Sequence, residues 1–301
     1  MSTPATRGGA AQLGLVLFGV FIASTSVIMI KASSIHPILQ SSYRQLFAAF
    51  ILAPFFFREL KSRGERFSLR ATLPSLVPGL LLGLHFITWI YGARLTLAGN
   101  STVIVNMSPV VMPFVALVLL RVRLSPRELI GTAFAVAGVA ILAVADYKGG
   151  GERFAGDVSC FVAMLLYTVY LALARKNNPE GRLWTYLVPL YFYGGLFCLA
   201  VALVLGIDPV ANITWVDFAM TLGLAVGPTI VGHSVMNWAM LRFQPQVVSI
   251  LNLGQFIFAG ILAFIIFGEA PEASFYATSV LIVAGAVVSM APKASAPKRG
   301  S

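Results

Sequence analysis

Charge is what this chain has least of. Only 11% of its 301 residues are charged, where a soluble domain usually carries about 25%. Cysteine is nearly absent as well. Cys160 and Cys198 form no CxxC pair and no metal-ligand spacing, which argues against a zinc module or a disulfide framework and calls for no cofactor. Each sits in an apolar stretch and reads as a small packing residue. Histidine occurs only at His36, His85 and His233. No HExxH and no paired-acid motif appears, so a membrane enzyme lacks visible machinery and remains a remote alternative. The acids are Glu59, Glu65, Glu128, Asp146, Glu152, Asp157, Glu180, Asp208, Asp217, Glu269 and Glu272. All fall in loops or near the ends of apolar runs. No carboxylate sits mid-run, where a proton pump would carry its relay.

What the chain does have is apolar length. It is 58% hydrophobic, with a mean hydropathy of +0.87. A membrane-spanning helix needs about 20 apolar residues. Ten such segments are predicted, at 10–31, 38–57, 72–93, 98–120, 127–145, 156–174, 183–206, 215–239, 245–267 and 272–291. The expectation is an all-α polytopic membrane protein with ten transmembrane helices and no room for a soluble domain. The first segment runs to Ile30, longer than the roughly 7–15 residues of a signal-peptide core. It is therefore read as a span that stays with the chain.

The net charge is +10, which in a soluble protein would suggest nucleic acid. Its distribution says otherwise. With the N-terminus inside and the spans alternating, sixteen Lys and Arg fall on the inner side and four on the outer, Lys31, Arg94, Lys148 and Arg153, with Arg44 within a span. That is the positive-inside bias. The basic excess is a topology signal that places both termini in the cytoplasm and makes the lipid bilayer, not nucleic acid, the partner.

Ten spans divide into five and five, and the halves match. Val136-Ala137-Gly138-Val139 is answered by Val283-Ala284-Gly285-Ala286, and Asn106 by Asn252. The division is a cytoplasmic tail at 1–9, a first repeat at 10–145, an extracytoplasmic connecting loop at 146–155, a second repeat at 156–291 and a tail at 292–301. Five is odd, so the second copy crosses the membrane the other way. Inverted repeats exchange two shapes to give alternating access, with substrate held between them near mid-membrane.

These residues resemble the drug/metabolite transporter superfamily in its EamA-type ten-helix branch. The resemblance covers about 10–291 and rests on the repeats, Tyr43-Arg44 in span two, Phe267-Gly268-Glu269 ending span nine, and the Ala-Gly pairs at 137–138 and 284–285. The first half departs from the pattern, with Arg121-Val122-Arg123 where the second has Gly268-Glu269. In overall similarity the chain resembles the YddG-type exporters of aromatic amino acids. The resemblance implies export across a bacterial inner membrane.

Helical spacing groups the polar residues into faces. Span three offers His85, Thr88, Trp89 and Gly92. Span eight offers Thr229, His233, Met236 and Asn237. Span four offers Thr102, Asn106, Pro109 and Pro113, and span nine Val248, Asn252, Gln255 and Ala259. Span six adds Tyr167 and Tyr170, and span one Ser24, Thr25 and Ser26. Amides in hydrocarbon must find partners, so these faces should converge on a central cavity. The substrate-binding candidates are His85, Trp89, Thr102, Asn106, Tyr167, His233, Asn237, Asn252 and Gln255. Two alternatives stand beside this. Trp89 lies near a helix end, where belt tryptophans sit, and His85 could serve a structural hydrogen bond. Arg44 is read as locking a helix end through carbonyls. The GxxxG pairs Gly79/Gly83 and Gly223/Gly227 are read as packing within one molecule. Pro109, Pro113, Pro189 and Pro228 each remove a donor and favour kinks.

Such a cavity has amides, aromatics and hydroxyls but no paired cations for a phosphate. A neutral or zwitterionic metabolite fits, with amino acids foremost, aromatic and other neutral ones. The absence of a mid-span acid favours a facilitator or exchanger. Proton-coupled efflux of amphipathic drugs or other metabolites is the alternative. A monomer suffices for this mechanism, and the oligomeric state stays open.

Overall fold

A computed structural model of the protein describes residues 8–120, 125–149, 151–178, 182–210, 213–242 and 251–290. Among these, all regular structure is helical. The helices are α1 (Gly8–Lys31), α2 (Pro37–Ser62), α3 (Leu69–Thr72), α4 (Leu76–Leu95), α5 (Ala98–Val105), α6 (Ser108–Leu120), α7 (Pro126–Gly149), α8 (Gly151–Asn177), α9 (Trp184–Val204), α10 (Trp215–Leu224), α11 (His233–Arg242), α12 (Gln255–Phe267) and α13 (Ala273–Met290). Seven stretches are long and apolar enough to cross a bilayer, and 251–267 and 273–288 are shorter apolar helices. Large apolar side chains such as Phe50, Val118 and Ile265 face outward at 63, 76 and 70% exposure. That is the surface of a molecule solvated by lipid rather than water.

The predicted boundaries need correction in places. The connecting loop expected at 146–155 is instead the ends of two helices, α7 running to Gly149 and α8 starting at Gly151. Of its polar residues, Asp146 accepts from Thr96 and Asn100, and Arg153 pairs with Glu272. Span three extends back to Leu69 through a 3-10 turn, Leu73–Ser75, that contains Pro74. Span four is broken at Asn106-Met107, just before Pro109, whose missing N–H leaves the preceding turn without its ladder bond. Span eight holds a π segment, Ala225–Gly232, around Pro228. The start of span nine, with Val248, and the Arg121-Val122-Arg123 stretch lie outside the described residues, as do most of the two predicted tails.

The two repeats are visible in the packing. Counting spans in chain order, three packs on six as eight packs on one, and four packs on six as nine packs on one. Spans five and ten pair with each other, and so do two and seven. The five–ten seam shows the relation residue by residue. A Cβ on Gly138 would meet the Thr278 carbonyl, and one on Gly285 the Gly131 carbonyl. Gly285 follows Gly138 by the same 147 positions by which Thr278 follows Gly131. The Thr278 hydroxyl closes the seam by donating to the Gly138 carbonyl at 2.7 Å. The GxxxG glycines likewise pack internally. Gly79 and Gly83 face α9 at Leu190 and Gly194, while Gly223 and Gly227 face α1 at Met29 and Ile22.

One end of the bundle is tied by polar contacts that join all five of its connections. Lys31 meets Glu269 at 2.6 Å, and the other Glu269 oxygen accepts from the Ala98 amide at the start of α5. Asp217 accepts from Ser33, Ser34 and Ile35 in the α1–α2 turn and from Thr214. Arg94 donates to the carbonyls of Ile30 and Ile35 and to Gln40. The Thr96 hydroxyl reaches both Asp157 and Asp146, and Asn100 donates to Asp146. Arg153 pairs with Glu272. We call this the latched end. The described part of the opposite end is held by Arg182–Glu65, by Glu59 on the Thr185 amide, and by Asn177 on the Pro74 carbonyl.

The seam predicts a matched pair of defects. Gly138→Val and Gly285→Val should each cost about 1–3 kcal/mol by overpacking backbone against backbone. Gly14→Val, where a side chain would meet nothing, should be near neutral. Thermal unfolding in detergent checks this.

Candidate functional site

The arrangement at the centre begins with a proline. Pro228 has no N–H for the Leu224 carbonyl four residues back. The Thr229 hydroxyl donates to that carbonyl instead, at 2.8 Å. The same oxygen then accepts from Arg44 Nε at 3.2 Å and Nη2 at 2.9 Å. A proline, a π segment and a threonine thus hold an arginine that is only 1% exposed. Its guanidinium lies 3.9 Å over the Phe86 ring and 6.0 Å from the centre of Trp89, and a cation on an aromatic face is favourable. Nη1 has no partner. The bond to Thr229 corrects the expectation for Arg44: it joins α2 to the π segment through a hydroxyl and locks no helix end.

Arg44 lines a cavity of about 60 Å³ between the repeats, together with His85, Trp89, Asn106, Tyr167, His233, Asn252 and Gln255. Ser26, Phe86, Val105, Pro228 and Met236 complete most of its wall. At roughly 10–15 Å³ per water, it has room for a few waters and is too small for a whole aromatic amino acid. A larger cavity of about 240 Å³ lies at the end opposite the latch, around Phe67, Thr72, Asn177 and Tyr186. Of its charged residues, Arg182 and Glu65 pair with each other. Thr185 and Tyr186 keep hydroxyls without a partner. The buried guanidinium belongs to the central cavity.

Trp89 belongs to this wall and not to an outer belt. It is 8% exposed and stacks on His85 with ring centres 5.9 Å apart. His85 in turn touches Tyr167, at 5.0 Å between rings, and Tyr167 meets His233 edge-on. His85 also serves the structural bond that was its alternative. Its Nδ1 lies 2.8 Å from the Ala163 carbonyl. A carbonyl only accepts, so Nδ1 carries the proton, and in the neutral ring Nε2 is left as an acceptor.

The repeat-related asparagines meet directly. Asn252 Nδ2 donates to Asn106 Oδ1 at 2.9 Å. Gln255 donates to Asn252 Oδ1, and Asn106 Nδ2 donates to the Thr102 carbonyl. The bond joins equivalent positions of the two halves and so lies near the relation that exchanges them. Thr102 itself is not on the wall, since its hydroxyl turns back to the Ala98 carbonyl. The Asn237 side chain lies outside the described residues. Arg44 was the residue that spacing missed. The signal was available: an intramembrane arginine with no acid at helical spacing.

Comparison with known proteins decides the family at this point. The model of the EamA-like transporter family matches residues 10–144 and again 154–291. The chain belongs to the EamA-like transporter family. The two matches coincide with the two repeats seen in the packing, and they make this an integral membrane transporter for a small molecule. No curated protein matches. One solved structure, described only as a crystal structure of protein, is 15% identical with a TM-score of 0.64. It covers 93% of this chain and 97% of its own, and it supports the fold alone.

The Thr229 arrangement gives a direct check. Thr229→Val removes the acceptor for two guanidinium donors and the donor for the Leu224 carbonyl. It should cost about 2 kcal/mol, in the range for hydrogen bonds to charged groups, while Thr229→Ser should cost little. Urea or thermal unfolding of the purified transporter measures both.

Proposed function

We propose that this transporter works by alternating access and exports or exchanges amino acids, aromatic and other neutral ones, through the central cavity. The observation that carries the reading is the Asn106–Asn252 bond. It places equivalent residues of two repeats face to face in a polar cavity, where an exchange of shapes between inverted repeats would present them to each side in turn. Ten crossings are read from apolar length, and the charge bias favours both termini in the cytoplasm, which would put the latched end outside. The latch then closes the outer face in this conformation. Substrate enters only when the aromatic wall parts, since about 60 Å³ admits a head group and a few waters. His85 Nε2 would accept from an ammonium, Trp89 and Tyr167 would flank an apolar side chain, and the asparagine pair would reorganise as the gates exchange. His233, Gln255 and Asn237 belong to the same proposed site, and Thr102 would support Asn106 from behind.

Proton-driven export has one observation in its favour. Asp146 and Asp157 are buried side by side beneath Thr96 at the latched end. If that pair couples a proton to the flux, Asp157→Asn will abolish accumulation driven by a pH gradient and leave exchange intact. Exchange without gradient-driven accumulation in the wild type excludes this reading.

The test of the main reading is uptake of labelled tryptophan, phenylalanine, threonine and alanine into liposomes containing the purified protein. The expected result is saturable uptake of the aromatic substrates, lowered about tenfold or more by Asn106→Ala, as for one lost buried hydrogen bond. Absence of flux for every amino acid overturns the substrate reading.

A further inference from the structure

The cavity's unsatisfied polar atoms share one chemistry. Three side chains on its wall carry buried atoms with no hydrogen-bond partner: Arg44 Nη1, Trp89 Nε1 and Ser26 Oγ. The first two are donors only, and the third can donate. None of the residues lining the cavity is Asp or Glu. A buried guanidinium with no counter-ion is costly. Here it is offset in part by the Phe86 ring and by the Thr229 hydroxyl, neither of which neutralises it. Thr229 occupies the edge formed by Nε and Nη2, and Nη1 on the outer edge has no partner.

We propose that Arg44 is the docking cation for a carboxylate on the cargo, supported by the Trp89 indole N–H and the Ser26 hydroxyl, so that the carboxylate and not the amine defines what this carrier accepts. An open guanidinium edge matches the two oxygens of a carboxylate. One cation suits a monoanion and not a phosphate ester, which calls for more positive charge. The ring of Phe86 under the guanidinium and the stacked pair His85–Trp89 place apolar surface beside the anion, which fits a carboxylate on an aromatic or large apolar group. An ammonium would meet only neutral acceptors. The cargo class therefore extends to aromatic carboxylates that lack an amino group. This deepens the transport reading and rests on it for the cargo's passage, but the docking chemistry is measured separately.

Three probes separate the terms: phenylalanine, 3-phenylpropionate, which keeps the carboxylate alone, and phenethylamine, which keeps the amine alone. Binding is measured by calorimetry on the full-length protein in detergent, and flux in liposomes. The wild type is expected to bind phenylalanine and 3-phenylpropionate comparably and phenethylamine far more weakly. Arg44→Gln should weaken both carboxylates about 30-fold or more, as for a buried charge pair that loses one member, with Arg44→Lys intermediate. Trp89→Phe and Ser26→Ala leave Arg44 fastened to Thr229, and should each weaken the carboxylates severalfold without improving phenethylamine. This keeps the test alive if Arg44→Gln does not fold. Equal binding of phenethylamine and phenylalanine overturns the inference. So does carboxylate binding that is absent, or unchanged in these variants. Carboxylate binding through Arg44 without flux of any probe overturns transport of this class and leaves the docking site standing. Flux of phenylalanine with binding indifferent to the carboxylate does the reverse.

Discussion

The fold depends on one constraint: a polar group surrounded by hydrocarbon must be satisfied from within the protein. The chain meets it by concentrating polar residues in two places. At the latched end, Asp217, Glu269, Arg94, Thr96 and Asn100 bind the exposed amides, carbonyls and carboxyls of the helix connections to one another. At the centre, Gln255, Asn252 and Asn106 pass hydrogen bonds from one repeat to the other. Between these places the helices touch through glycine, where backbones come close enough for carbonyls to face the missing Cβ. The remainder of the surface is free to be apolar.

The centre differs from the latched end in the kind of atom left over. At the latched end Asp146 and Asp157 each keep one carboxyl oxygen without a partner, whereas at the centre the unpartnered atoms are Arg44 Nη1, Trp89 Nε1 and Ser26 Oγ. Buried polar groups are nearly always bonded, and the three exceptions at the centre sit on residues that line one cavity. The route to this arrangement is local. Pro228 forces a gap in the helical ladder, Thr229 fills it, and the hydroxyl so placed carries Arg44. The same π segment packs on α1, which bears Ser26, so a shift of that helix would alter the donor set.

The sequence made the architecture legible because apolar length, basic-residue asymmetry and paired motifs each report directly on membrane helices and repeats. Asn106 and Asn252 could be matched by spacing, though their mutual bond could not be foreseen, since spacing places a residue on a face without saying what it meets. Trp89 was ambiguous for a related reason. Its distance from the helix end suits a belt, and only the stacking on His85 fixes it inside. Thr102 stands off the cavity wall because a helical hydroxyl has its own backbone carbonyl within reach. Arg44 was read as a helix fastener because its acceptor, Thr229, lies 185 residues away. The carboxyls of Asp146 and Asp157 sit near helix ends as expected, yet burial brings them together beneath Thr96, which no periodicity encodes.

The central claim is that one cavity is open to one side of the membrane at a time, and that the latch decides which. The most direct measurement is the reaction of a cysteine at Gln255 with a membrane-impermeant maleimide, applied to each face of oriented vesicles, with Glu269 intact and with Glu269→Gln. The account predicts labelling from the cytoplasmic face with the latch intact. With the latch broken, labelling from the outer face should rise as that from the cytoplasmic face falls. Labelling from both faces at once, or a pattern that ignores the Lys31–Glu269 pair, would contradict it.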